Sequence, residues 1–86
     1  MNNPISVLVI DDERNLVRSL GFSLRDEDMQ VTGAYTGGDG LELAKTSSPD
    51  VVLLDLGLPD MSGLEVLVKL KAQQPDLPVI MISAHG

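Results

Sequence analysis

Three short runs of the chain are almost wholly aliphatic: Val7 to Ile10, Val51 to Leu54 and Val79 to Ile82. Each is too short for a globular helix and rich in Val or Ile, which predicts strands buried on both faces. Between them apolar residues recur at helical spacing: Leu16, Val17, Leu20 and Leu24, then Leu41 and Ala44, then Leu64, Leu67, Val68 and Leu70. These stretches predict three helices whose apolar faces cover a sheet. A weaker segment, Gln30 to Tyr35, sets Val31, Gly33 and Tyr35 on one side with Thr32 and Ala34 between them, and reads as an edge strand. The punctuation agrees, since Gly37-Gly38 precedes the second helix, Ser47-Ser48-Pro49-Asp50 ends it, and Pro75 and Pro78 bracket the turn after the third.

The order βαβαβαβ, joined by right-handed crossovers, predicts an α/β, doubly wound parallel sheet with strand order 2-1-3-4. The first helix alone then covers one face, and the last strand keeps an open edge. A doubly wound domain ordinarily adds another β-α unit, so the chain is expected to be the N-terminal part of a longer protein. Its open strand predicts association with a second copy as a symmetric homodimer.

Composition narrows the chemistry. The 86 residues include no Cys, which excludes disulfides, thiolate metal sites and Cys nucleophiles, and Phe22 and Tyr35 are the only aromatics, so the core must be aliphatic. No basic region precedes the first apolar run, which is far too short to cross a bilayer, and a cytoplasmic protein without a membrane segment is expected. With 6 Lys and Arg against 13 Asp and Glu, the net charge of -7 argues against direct binding to nucleic acid.

The acidic residues are not scattered. Asp11-Asp12-Glu13 follows the first buried strand and Asp55 follows the third, at the carboxyl ends of strands where such sheets bind ligands. Carboxylates so close oppose one another's ionisation unless a cation is present. Mg²⁺ suits a pocket offering Asp12, Asp55 and a backbone carbonyl from the following loop, with the Asp55 carboxylate attacking a phosphoryl group in line. Taken singly, Asp11 and Asp12 also suit a cap on the first helix and Asp55 a strand end; convergence of three favours a site. An aspartate-nucleophile phosphohydrolase is the alternative. That chemistry wants a second acid two residues after the nucleophile; the spacing fails at Asp55, where the chain has Gly57, and is met only by Glu13 after Asp11. An inactive dimerising fragment is the third reading.

The segments Val7-Leu8-Val9-Ile10-Asp11-Asp12-Glu13, Val51-Val52-Leu53-Leu54-Asp55-Leu56-Gly57-Leu58-Pro59-Asp60-Met61-Ser62-Gly63 and Pro78-Val79-Ile80-Met81-Ile82-Ser83-Ala84 resemble the receiver domain of bacterial two-component response regulators. The ending Ser83-Ala84-His85-Gly86 is similar to the receivers of nitrogen-regulation-type, sigma-54-dependent activators. The resemblance implies a flavodoxin-like receiver fold over residues 1–86, without the family's fifth strand and last two helices. It further implies Asp55 as phosphoacceptor, Asp12 as a direct Mg²⁺ ligand, Asp11 acting through a metal-bound water, the Gly57 carbonyl as a further ligand, and Ser83 as the hydroxyl that senses the phosphoryl group. Its partner would be a sensor histidine kinase and its output an effector that controls transcription, the chain itself not being an enzyme in the ordinary sense. The family's lysine and aromatic switch residue belong to the fifth strand, so reduced activity is expected of this piece. Lys45, Lys69 and Lys71 fall on predicted helices and read as solvated; His85 reads as solvated, and Met29, Met61 and Met81 as core or loop filler.

Overall fold

The computed structural model describes residues 4–82. The elements run β1 (Ile5–Ile10), α1 (Arg14–Arg25), β2 (Met29–Ala34), α2 (Gly37–Ser47), β3 (Val51–Asp55), α3 (Gly63–Gln73) and β4 (Val79–Ile82). The four strands form one parallel sheet in the order β2-β1-β3-β4, as the connectivity predicts. No helix among the described residues is long and apolar enough to cross a membrane.

The side-chain alternation of the strands divides the core in two. Leu8 and Ile10 of β1 face α2 and α3 and pack with Ala34, Ala44, Val52, Leu54, Val66, Leu70 and Leu77. Val7 and Val9 point the other way, to Val17 of α1, with Leu20, Leu24, Met29, Val31, Tyr35, Val51 and Leu53 packed around them. A strand covered on both faces must be apolar at every position, and Val7 to Ile10 are all buried. Val31, Gly33 and Tyr35 share the α1 side as their spacing predicts, although the strand is shifted by one residue, Met29–Ala34, and Tyr35 lies just beyond it. The methionines are filler: Met29 joins the α1 side of the core, and Met61 and Met81 join the other.

Four expectations need correction. β4 is not buried on both faces: Ile80 is 53% exposed, because α1 packs chiefly on β2 and does not reach across the sheet. Gly37 and Gly38 lie inside the first turn of α2, whose N-cap is Thr36, its hydroxyl accepting the Asp39 N–H at 3.1 Å. Asp55 does not follow β3 but is its last residue, paired with Ile82. Lys71 is not merely solvated. Its ammonium donates to the carbonyls of Leu77 (2.6 Å) and Pro75 (3.3 Å), folding the connection between α3 and β4 back on the helix.

The connection between β3 and α3 is fastened at several points. Ser62 caps α3 by accepting the Glu65 N–H at 3.2 Å, in the Ser-x-x-Glu pattern of a helix start. Gly63 donates its N–H to the Leu56 carbonyl at 2.9 Å, and a Cβ at Gly63 would run into the backbone of Asp55 and Leu56, so only glycine lets α3 begin this close to the strand. Asp60 reaches outward from the same connection to α2. Its two carboxylate oxygens accept the N–H groups of Gly37 (2.7 Å) and Gly38 (2.9 Å), setting a negative charge at the helix N-terminus.

The N–H groups of Gly38 and then Gly37 hold the Asp60 carboxyl below the usual carboxylate range. A lowered folded-state pKa contributes stability that is present above the unfolded pKa and lost as pH falls through the folded one. Asp60→Asn, whose amide nitrogen cannot accept either hydrogen, is expected to lower the melting temperature by a few degrees at neutral pH. In thermal melts across pH, the difference from the parent should hold at neutral pH and shrink as acid titrates Asp60; a difference independent of pH would refute the ionic clamp.

Candidate functional site

Parallel strands that share a direction also share a carboxyl end, and β1 and β3 are direct neighbours. The residues that finish them are acidic. One carboxylate oxygen from each of Asp11, Asp12 and Asp55 lies within 4.8 Å of the others. Asp11 and Asp55 are 1% and 7% exposed, whereas Asp12 is open to solvent, so the cluster has a buried floor and an accessible rim. The three acids singled out from the sequence therefore do converge.

The helix-cap explanation of the acidic pair fails. The N-cap of α1 is Glu13, and no side chain bonds there as a cap. Asp11 instead turns back on its own backbone: its Oδ1 accepts the Glu13 N–H at 2.8 Å, while its N–H donates to the Ala34 carbonyl at 3.0 Å. Its other oxygen, Oδ2, is buried and finds no hydrogen-bond partner among the described residues. Desolvation pushes the Asp11 carboxyl up, the Glu13 N–H opposes that rise, and the charges of Asp55, Asp12 and Glu13 add to it. A buried carboxylate oxygen without a donor, facing two further carboxylates, is the donor set of a hard divalent cation held by oxygen.

Gly57 lies two residues past Asp55, exposed, and bridges to Ser62 across the connection into α3. No acid stands at that position, two residues after Asp55; Glu13 stands two residues after Asp11. Ser83 and His85 lie outside the described residues. The sequence reading did not pick out Asp60 as a link to α2; the distance of 23 residues between it and Gly37 leaves no local signal in the chain.

Comparison with known proteins gives a consistent answer. The model of the response regulator receiver domain matches residues 7–86. The probable transcriptional regulatory protein TcrX of Mycobacterium tuberculosis is 46% identical over 81 residues, covering 94% of this chain and 35% of that protein. The transcriptional regulatory protein KdpE of the same species is 50% identical over 79 residues, covering 92% and 34%. The crystal structure of the response regulator protein TrrA from Thermotoga maritima, in complex with Mg(2+)-BeF, superimposes with a TM-score of 0.89 at 30% identity, covering 95% of this chain and 71% of that one. The chain thus spans about a third of the length of these curated relatives. Its sheet order, its acidic strand ends and a match over nearly its whole length agree, and the chain belongs to the receiver domain family of two-component response regulators.

Proposed function

We propose that Asp55 is the phosphoacceptor and that Asp11, Asp12, Asp55 and the Gly57 carbonyl hold Mg²⁺ beside it. The observation that carries this reading is the buried, unpartnered Oδ2 of Asp11 in a cluster with Asp12 and Asp55. An Asp55 carboxylate oxygen forms the bond to phosphorus as the bond from phosphorus to a phosphohistidine nitrogen breaks, and the histidine leaves with the electron pair. Mg²⁺, when bound, would offset negative charge on the phosphoryl oxygens. The chain's own part is positional: β3 fixes the Asp55 backbone through its ladder, Gly63 packs close against that backbone, and Asp60 ties the connection to α2. The complex of TrrA with Mg(2+)-BeF supports assigning the same cation to this chain.

In this reading a sensor histidine kinase in the cytoplasm supplies the phosphoryl group, Ser83 senses it, and the larger protein carries a transcriptional output. The domain is a stoichiometric acceptor and not a turnover enzyme, which the glycine at position 57 supports. A second copy of the chain is a further partner, supported by the apolar surface at Ile80 and by the groove between Leu16, Leu20, Leu53 and Ile82.

Acetyl phosphate with Mg²⁺ is expected to add one acid-labile phosphoryl group, read by intact mass. Asp55→Asn should abolish the addition, and labelling that survives would move the acceptor elsewhere.

Metal binding gives a separate test. Mg²⁺ at about a hundred times its Kd should stabilise the fold by ~2.7 kcal/mol, and Asp12→Ala should remove that shift. Asp11→Asn keeps the oxygen that accepts the Glu13 N–H but removes the buried charge. Because the Asp11 pKa is raised in the fold, ionisation costs nothing below the ordinary carboxylate range and its full amount above the raised value. The metal-free variant is therefore expected to melt at a higher temperature than the parent at neutral pH. That gain should fade in acid, and a metal-free Asp11→Asn less stable than the parent at neutral pH would contradict the strained carboxylate.

A further inference from the structure

The chain's three arginines, Arg14, Arg18 and Arg25, all lie on α1, and with Phe22 they fall at spacings of four, four and three, which is one stripe of a helix. The stripe forms one wall of an open groove of about 410 Å³, whose other wall is Val31, Gly33 and Tyr35 of the β2 segment. Phe22 is 66% exposed, the most apolar surface on this flank. The Arg14 guanidinium stacks 4.0 Å from the centre of the Tyr35 ring, and that of Arg25 lies 6.0 Å from the Phe22 ring. None of the side-chain hydrogen bonds among the described residues uses an arginine. Their donors face the groove in a chain that is otherwise acidic.

The floor of this flank is a sheet edge. β2 stands at the end of the strand order, with β1 as its neighbour on the inner side. The carbonyls of Asp28 and Ala34 accept N–H groups of β1 and of Asp11, so the even-numbered residues of β2 turn their backbone groups inward. Backbone polarity alternates along a strand, and the N–H and C=O groups of Met29, Val31 and Gly33 therefore point away from the sheet. Gly33 adds access: a Cβ there would meet Val17 at 2.6 Å, and its absence lets the strand lie close under α1.

A row of outward N–H and C=O groups accepts one more strand, three guanidiniums select acidic side chains on it, and Phe22 offers an apolar anchor. We propose that the groove between α1 and the free edge of β2 binds an extended acidic peptide segment of a partner protein, added to the sheet as a fifth strand beside β2. A second copy of this chain is a poor occupant, because a two-fold axis at the β2 edge would bring two arginine rows together. Nucleic acid is disfavoured as well, since a polyanion extending past the groove meets a surface of net charge -7. This site is separate from the acidic cluster and stands whether or not Asp55 is the acceptor.

The probe is a fluorescent peptide alternating glutamate and valine, titrated with the chain and followed by anisotropy, with a lysine-valine peptide and a single-stranded oligonucleotide as comparisons. The acidic peptide is expected to bind, to weaken when salt is raised from about 50 to about 300 mM, and to slow amide hydrogen exchange at Val31 and Gly33. Arg14→Glu combined with Arg18→Glu should weaken binding by about tenfold or more, and Phe22→Ala by a smaller factor; all three positions are exposed, so the fold should survive. Equal binding of the lysine peptide or of the oligonucleotide, indifference to the charge reversal, or unchanged exchange at Val31 and Gly33 on saturation would each overturn the proposal.

Discussion

Asp11 is a carboxylate that the fold buries and then leaves half satisfied. One oxygen accepts a backbone N–H and the other accepts nothing among the described residues, while Asp12 and Asp55 stand within a few ångströms. An unpaired buried polar atom costs about 1–3 kcal/mol, a large share of the ~5–15 kcal/mol by which small domains are stable. The aliphatic packing must supply the excess, and it does so around the same strand: Leu8, Val9 and Ile10, the residues that lead into Asp11, are wholly buried. The most deeply buried strand of the protein thus delivers its least comfortable charge. Under the proposed function, relief of that strain by a cation would connect the architecture of the sheet to the chemistry of the site.

Two acids, Asp11 and Asp60, use opposite physics. Asp11 is desolvated and held near like charges, which favours its neutral form. Asp60 is solvent-exposed and receives two N–H groups at a helix N-terminus, which favours its charged form. The difference is one of partners: one oxygen of Asp11 has no donor among the described residues, whereas both oxygens of Asp60, which fastens the β3–α3 connection to α2, have one. Between them lies Asp55, in the last rung of β3, where the ladder and the close approach of Gly63 restrict its backbone.

The sheet was legible because hydrophobic pattern and burial are the same fact viewed twice. Runs such as Val7 to Ile10 and Val51 to Leu54 have no polar position because both faces are covered, and the acids after them marked the carboxyl ends. Ile80 departs from its pattern for the converse reason: an apolar residue states a preference for burial, whereas a neighbouring helix decides whether burial is available. The start of α2 was misplaced because glycine ordinarily interrupts helices, yet Gly37 and Gly40 sit where side chains would collide with Met61 and Ile10, and Thr36 takes the cap. The bond from Gly37 N–H to Asp60 and the bond from Lys71 to the Leu77 carbonyl are invisible in the sequence for lack of any spacing rule. Such contacts depend on how connections fold over the ends of the sheet, which the periodicity of the elements does not encode.

The face covered by α1 shows how one geometric shortfall yields two different surfaces. Strands spaced about 4.8 Å apart make a four-stranded sheet about 14 Å wide between its outer strands, and a single helix with its side chains covers about 10–12 Å. One helix therefore leaves a trough on each flank. Toward β4 the trough has a floor and wall of Leu16, Leu20, Leu53 and Ile82 beside Glu13, Asn15 and Ser19, so what it offers a partner is chiefly burial of apolar area. Toward β2 it is lined by Arg14, Arg18 and Arg25, with an open backbone edge below, and recognition there is by charge and hydrogen bonds. Geometry makes both troughs, and the residues on the two flanks of α1 make them unlike. A helix with a single buried residue, Val17, contributes little to the core for its length. Its remaining positions are free to carry surface chemistry, which is why charge is segregated on this element and not on α2 or α3.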